Sequence, residues 1–157
     1  MYIPFMRLPI QAAIYVVRPF GDSHQYLMLH RVLKQLTFWQ GVTGGVESGE
    51  TIDQTAAREL IEETGFTTDD LQPIDYSYTF PADEFFRNIY EQPVDTITQH
   101  VYVARVPADS EPTIDSKEHD QYRWCSYEEA LELLYWWDDK ESIKRVEEFM
   151  QRHHDYM

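Results

Sequence analysis

The stretch from Gly44 to Phe66, GGVESGETIDQTAARELIEETGF, most constrains what this chain can fold into, because it fixes a helix and crowds five Glu into one loop and that helix. Thr51 with Gln54 three residues on makes a Thr-x-x-Gln capping box, and no Gly or Pro follows until Gly65, which predicts a helix from about Ile52 to Thr64. Ile52, Ala56 and Leu60 recur every four residues and define one buried face. Glu59 and Glu63 fall close together on a different face, with Glu62 beside them at spacing i+3 from Glu59. Three carboxylates therefore share one surface.

Like charges at these spacings destabilise an isolated helix by a few tenths of a kcal/mol per pair, so the arrangement calls for a compensating cation. Carboxylate-only ligation suits Mg²⁺ or Mn²⁺, whereas Zn²⁺ would want His or Cys, and this stretch contains neither. A solvated acidic face is the alternative for an arbitrary helix of this composition. The wider spacing decides between the two.

Gly44 is followed after five residues by Glu50, and after seven more by Arg58-Glu59-Leu60-Ile61-Glu62-Glu63-Thr64-Gly65-Phe66. This run resembles the Nudix hydrolase signature, G-x5-E-x7-R-E-U-x-E-E-x-G-U with U a bulky apolar residue, and agrees with it at every fixed position. The resemblance implies a magnesium-dependent hydrolase that cuts a diphosphate linkage in a nucleoside diphosphate joined to another group. It further implies that Glu59, Glu62 and Glu63 ligate metal, that Arg58 and Glu50 form an orienting ion pair behind them, and that the Gly44-Gly45 turn supplies a backbone carbonyl ligand.

At 157 residues the chain is expected to form one domain, residues 1–157, able to bury a core without disulfides. The single Cys125 cannot form an internal bridge, which suits a reducing cytoplasm. No segment approaches the length of a membrane span, and the N-terminus lacks the features of a signal peptide, so a cytoplasmic protein with no membrane partner is expected. A net charge of −15 argues against a nucleic acid polymer as partner. It leaves room for a small-molecule polyphosphate, which enters an acidic site when divalent ions bridge carboxylates to phosphates.

Taken in order, Pro9 to Arg18 reads as a strand with Ile10, Ala12, Ile14 and Val16 on one face, a turn at Pro19 to Asp22 ends it, and Gln25 to Val32 completes a hairpin. That second strand delivers Arg31 and Lys34 toward the signature loop, as phosphate-binding cations or as solvated basic residues. Trp39, in the run Thr37 to Thr43, is a candidate for stacking on a base or pterin, with core packing as its rival use; Phe38 reads as core. The run FWQGVTGGVESGE resembles the Nudix branch of dATP pyrophosphohydrolases and dihydroneopterin triphosphate pyrophosphatases.

Gln72 to Phe80 and Asp95 to Val106 read as further strands. Between them, Pro81 to Pro93 is an aromatic, mixed-charge loop in which Phe85, Phe86, Arg87, Asn88 and Tyr90 are candidates for reading the leaving portion of the substrate, a homodimer contact being the competing use. After a polar loop, Gln121 to Cys125 is a short strand. The preceding Glu118-His119 with Tyr122-Arg123-Trp124 resembles the same branch, in which a Glu outside the signature returns to the metal cluster, and Glu118 is the position that matches. His119 reads as a surface histidine, with a general base as the alternative. Ser126 and Glu129 form a second capping box for a helix to about Leu134, Trp136 to Asp139 interrupts it, and Glu141 to about Arg152 is a last amphipathic helix.

Strands and helices mix without regular βαβ alternation, which predicts an α+β chain, consistent with the Nudix fold of a mixed sheet sandwiched between helices. The function expected is Mg²⁺-dependent cleavage of a dATP-like nucleoside triphosphate or of dihydroneopterin triphosphate to the monophosphate and pyrophosphate. Hydrolysis of dinucleoside polyphosphates or nucleotide sugars is the alternative, and a non-catalytic ligand sensor of the same fold is a third.

Overall fold

The structure is a computed structural model that describes residues 7–82 and 96–153. Its elements in chain order are β1 (Arg7–Phe20), β2 (Ser23–Val32), β3 (Thr37–Gln40), β4 (Val42–Glu47), α1 (Ile52–Thr64), β5 (Leu71–Pro81), β6 (Thr96–Arg105), β7 (His119–Cys125), α2 (Tyr127–Leu133) and α3 (Trp137–Arg152). The strands form one mixed sheet with the path β3-β2-β1-β6-β5, to which β4 adds by pairing with β1 and β7 by pairing with β2. Among the described strands only β1 and β6 run parallel. The mixed sheet between helices expected from the sequence is the architecture found.

Strand β1 is central and buried on both faces, which its continuous apolar run from Ala12 to Val17 explains. Ala12, Ile14 and Val16 join Leu27, Leu29, Ala56 and Leu60 under α1, while Ala13, Tyr15 and Val17 join Tyr26, Met28, Ile143, Val146 and Met150 under α2 and α3. Along its length β1 changes partner. Val17 to Phe20 pair with β2, and Arg7 to Ile14 pair with β4, so that Gly44 faces Ala12 and Gly45 faces Gln11. The glycine pair, expected to form a turn, therefore lies inside a strand, held there by the β1 ladder.

Helix α1 has the expected bounds. The Thr51 hydroxyl accepts from Gln54 N at 3.1 Å, and Thr51 N donates to Gln54 Oε1 at 2.9 Å. Gly65 ends the helix at φ +76°, a left-handed cap that favours glycine, with its N–H donated to Ile61 O. By contrast, α3 begins at Trp137, earlier than the expected Glu141. Asp138 and Asp139 occupy its first turn, where carboxylates suit the positive end of the helix dipole, and Ser142 Oγ donates to Asp138 O at 2.7 Å. The break before it falls at Leu134, whose extended backbone bridges to Trp39. Among the described residues no helix is long and apolar enough to cross a membrane.

Candidate active site

Packing α1 against β1 and β4 sorts its residues into rows. Ile52, Ala56, Leu60 and Thr64 make the row that meets the sheet, Thr55, Glu59 and Glu63 the row beside it, and Arg58 and Glu62 the outer row. The middle row is buried too: Glu59 is 7% exposed and Glu63 is 2% exposed. Buried carboxylates are costly unless paired, and their setting accounts for each in turn.

Arg58 organises the outer side. Its Nε and Nη2 donate to the two oxygens of Glu50 at 2.7 and 3.0 Å, a bidentate pair. Nη1 donates to Glu59 Oε1 at 2.7 Å and to Glu62 Oε2 at 3.3 Å, and Nη2 also donates to the Gly45 carbonyl at 3.0 Å. One guanidinium thus ties the loop, the strand and the helix together. Glu50 also accepts from Thr55 Oγ1 at 2.6 Å and from Glu47 N at 3.1 Å. The Arg58 hydrogen bonds, with help from Thr55, hold the Glu50 carboxyl down at about 2. The expected Arg58–Glu50 pair is present.

Gly44 is where the strand meets the helix. A Cβ built on it would overlap the carboxyl carbon, the Cγ methylene and Oε1 of Glu59, so the Glu59 side chain occupies the space that any other residue would need.

The inner side has a different balance. Neither oxygen of Glu63 has a hydrogen-bond partner among the described residues. Burial, then the neighbouring Glu59 carboxyl, then the charge of Glu118 push the Glu63 carboxyl up to about 10, and burial likewise raises Glu59. Arg58 serves Glu59 on its outer side, but a buried Glu63 carboxyl facing it without a donor is held by a shared proton or by a cation. Across from them Glu118 comes from the loop before β7, its carboxylate 3.3 Å from Arg31 Nη1 and its carbonyl accepting from Val32 N at 3.1 Å. Ligand atoms of Glu63, Glu118 and His119 all lie within 4.8 Å of one another. That spacing, the hard oxygen donors and the unpartnered Glu63 oxygens fit a divalent cation.

The sequence reading placed His119 on the surface, and the structure corrects this: the imidazole is fully buried as the first residue of β7, opposite Arg31. Burial and the Arg31 charge lower it to about 4, so the ring is neutral. Nothing in the polar segment around it signals burial, which arises from the distant β2–β7 pairing. Trp39 is not brought to the carboxylates. It pairs with His30 on the α2–α3 face of the sheet, 4.9 Å between ring centroids, and packs against the core there, the rival use weighed for it. Phe38 is half-buried with its edge to Trp136, and Lys34 is exposed between β2 and β3. Phe85 and Arg87, with Phe86, Asn88 and Tyr90, lie outside the described residues.

The NUDIX domain pattern matches residues 9–146. This chain belongs to the Nudix family. A dihydroneopterin triphosphate diphosphatase of Escherichia coli K12 is 33% identical to this Nudix hydrolase over 137 residues, covering 85% of this chain and 89% of that protein. An octanoyltransferase of Myxococcus xanthus is 33% identical over 134 residues, 85% of this chain but 35% of that protein, so the chain spans about a third of that relative's length. The solved E. coli dihydroneopterin triphosphate pyrophosphohydrolase has a TM-score of 0.74 at 26% identity, over 90% of this chain and 96% of that one. Pyrophosphohydrolase activity of the Nudix type is the coarse function these relationships support.

Replacing Arg58 with Ala in this Nudix hydrolase is expected to weaken divalent-metal binding and activity by about tenfold or more, because Glu50, Glu59 and the Gly45 carbonyl lose a common donor. Lys is expected to rescue little, since a point charge cannot replace the fork. Calorimetric metal titration of the three proteins checks this, and full rescue by Lys would count against the geometry.

Proposed function

We propose that this Nudix hydrolase is a Mg²⁺-dependent pyrophosphohydrolase, with Mn²⁺ as an effective substitute, acting on a dATP-like nucleoside triphosphate or on dihydroneopterin triphosphate. The products are the monophosphate and pyrophosphate. The observation that carries the proposal is the buried, donorless Glu63 carboxylate within ligand distance of Glu118, beside Glu59 on the same helix. Resemblance to the E. coli diphosphatase supports the substrate class.

In this proposal Glu59, Glu62, Glu63 and Glu118 hold the cation, and Gly44 adds a backbone carbonyl. When bound, the ion would neutralise phosphate charge and lower the pKa of a water. Arg58 orients Glu59 through the 2.7 Å bond and keeps the loop against the helix through Glu50. Arg31 holds Glu118 on the opposite wall, so that charge compensation reaches the substrate from two directions. Glu118, 39% exposed at the side chain, is open enough to accept a proton from an attacking water. Positioning and charge neutralisation supply most of the rate.

A hydrolysis panel tests this. Phosphorus NMR of products from dATP, dihydroneopterin triphosphate, a dinucleoside polyphosphate and a nucleotide sugar, each with Mg²⁺, is expected to give pyrophosphate and a monophosphate from the triphosphates. Preference for the dinucleotide or the sugar, or release of orthophosphate from the triphosphates, would reject the substrate class.

A further inference from the structure

Strand β3 sends its two aromatic residues to opposite faces of the sheet. Gln40 Nε2 lies 3.2 Å from His119 Nε2, itself 3.7 Å from Glu63 Oε1, so Gln40 points to the α1 side. Phe38, two residues earlier on the same strand, takes that side too, and Trp39 packs on the other. Pairing agrees. Phe38 lies opposite Arg31 on β2, while Arg31 lies opposite His119 on β7 and 3.3 Å from Glu118. Phe38, Arg31 and His119 thus form one row across three strands, about 10 Å from end to end, with the carboxylates at one end and an aromatic ring at the other.

That ring has aromatic neighbours. Trp136 stands nearly perpendicular to Phe38, 6.3 Å between centroids, and Tyr135 nearly perpendicular to Trp136 at 4.8 Å. Both are open to solvent, Trp136 being 44% and Tyr135 73% exposed. Large apolar side chains left exposed as a contiguous group mark a binding surface. Local structure gives no other reason for them. Trp136 is the N-cap of α3 and makes no side-chain cap hydrogen bond, whereas Thr51 and Ser126 cap α1 and α2 with their hydroxyls. A Ser, Thr, Asp or Asn in its place would satisfy an orphan N–H. The segment is held beside β3 by the parallel bridge of Leu134 to Trp39, which leaves the rings of Tyr135 and Trp136 free to face outward. A helix cap given up for an exposed indole is a local rule broken, as happens at functional sites.

We infer that Phe38, Trp136 and Tyr135 form the wall on which the planar ring of the substrate stacks, with Arg31 between that ring and the phosphates at Glu63 and Glu118. This rests on the proposed triphosphate reading and deepens it. A substrate of that class joins a flat nitrogen heterocycle to its phosphate chain through a sugar or a short polyol, and the spacer accounts for the distance along the row. The Arg31 guanidinium, already 3.3 Å from Glu118, has further donors to offer a phosphate oxygen. Stacking on aromatic faces does not depend on a hydrogen-bond code, so the wall selects a ring over a non-aromatic group and tolerates purine and pterin alike. Trp39, on the opposite face, takes no part.

Calorimetric titration of the full chain in Mg²⁺ tests this with two probes: the non-hydrolysable α,β-methylene analogue of dATP, and inorganic triphosphate, which has no ring. The wild type is expected to bind the analogue more tightly than inorganic triphosphate by about tenfold or more. Trp136→Leu is expected to remove most of that advantage, Trp136→Phe to restore most of it, and neither to change the affinity for inorganic triphosphate by more than about twofold. Phe20→Leu, which alters an exposed ring at the far end of β1, is expected to change neither affinity. Analogue bound no more tightly than inorganic triphosphate, or with an affinity that Trp136→Leu leaves unchanged, would overturn the wall and leave the metal-bound triphosphate reading standing. An equal loss for both probes in Trp136→Leu would assign the indole a structural role and overturn the wall as well. Failure of the wild type to bind either probe would overturn both readings. If Phe38→Leu, the matching change on β3, does not fold, the exposed Trp136 decides alone.

Discussion

Glu63→Gln is expected to lower turnover on the order of 10²-fold or more at saturating Mg²⁺, about 3 kcal/mol of transition-state stabilisation, with the fold retained. The change keeps the size of a side chain that is 2% exposed and removes the charge a cation would bind. Near-normal turnover would contradict the proposed role. Glu47, at 3.6 Å from Arg58 on the rim, is expected to tolerate the same substitution with less than about a tenfold loss. Without metal the sign of the stability effect reverses. The Glu63 carboxyl rises from an ordinary 4.5 to about 10 in the folded chain, so its contribution to stability is complete below 4.5 and is lost as pH rises toward 10. His119, lowered from 6.5 to about 4, acts oppositely, its contribution being complete above 6.5 and lost as pH falls toward 4. The window from about pH 7 to 9 therefore belongs to the acidic pair. Across it the melting temperature of the metal-free wild type is expected to fall, that of Glu63→Gln to fall less, and added Mg²⁺ to flatten the wild-type slope. A metal-free wild type whose melting temperature rises over this window would contradict the burial account.

Gly44→Ala is expected to cost on the order of 10²-fold in activity and about 1 to 3 kcal/mol in stability. The added methyl occupies the space of the Glu59 carboxyl group, whose Oε1 is held by Arg58 at 2.7 Å, so relief means moving Glu59 out of the cluster or parting β4 from α1. Gly49→Ala is the control. Gly49 sits at φ +86° with open space around it, so Ala there strains the backbone without touching the carboxylates and is expected to lose about 1 kcal/mol while keeping metal-dependent activity. Normal activity of Gly44→Ala would mean that Glu59 has freedom that the close packing denies.

The signature helix was legible because everything that defines it is local: a capping box at Thr51, a four-residue apolar period and a glycine at the left-handed cap. The face of β1 that carries Ala12, Ile14 and Val16 also followed from alternation, whereas the burial of Ala13, Tyr15 and Val17 on the opposite face was not read from it. The parallel pairing of Ile10 with Thr98 was not legible, since it joins segments far apart in the chain, and neither was the partner change that draws Gly44 and Gly45 into β4. Register explains the placement of Trp39. A single-residue parity decides which face of the sheet a side chain takes, and that parity is set by the pairing of His30 with Trp39. The convergence of Glu118 on the helix was readable only through the family resemblance. His119 escaped because its neighbours are polar and its burial depends on a bulge opposite Arg31.

The central claim is that α1 and the loop before β7 together would hold one divalent ion, the site at which a water would be activated for attack. An anomalous difference map from a Mn²⁺-soaked crystal tests it most directly. The account predicts a peak about 2.1 Å from carboxylate oxygens of Glu63 and Glu118, with Glu59 or Glu62 completing the shell. A peak held by the helix carboxylates alone, with Glu118 still paired to Arg31 and away from the ion, would contradict it.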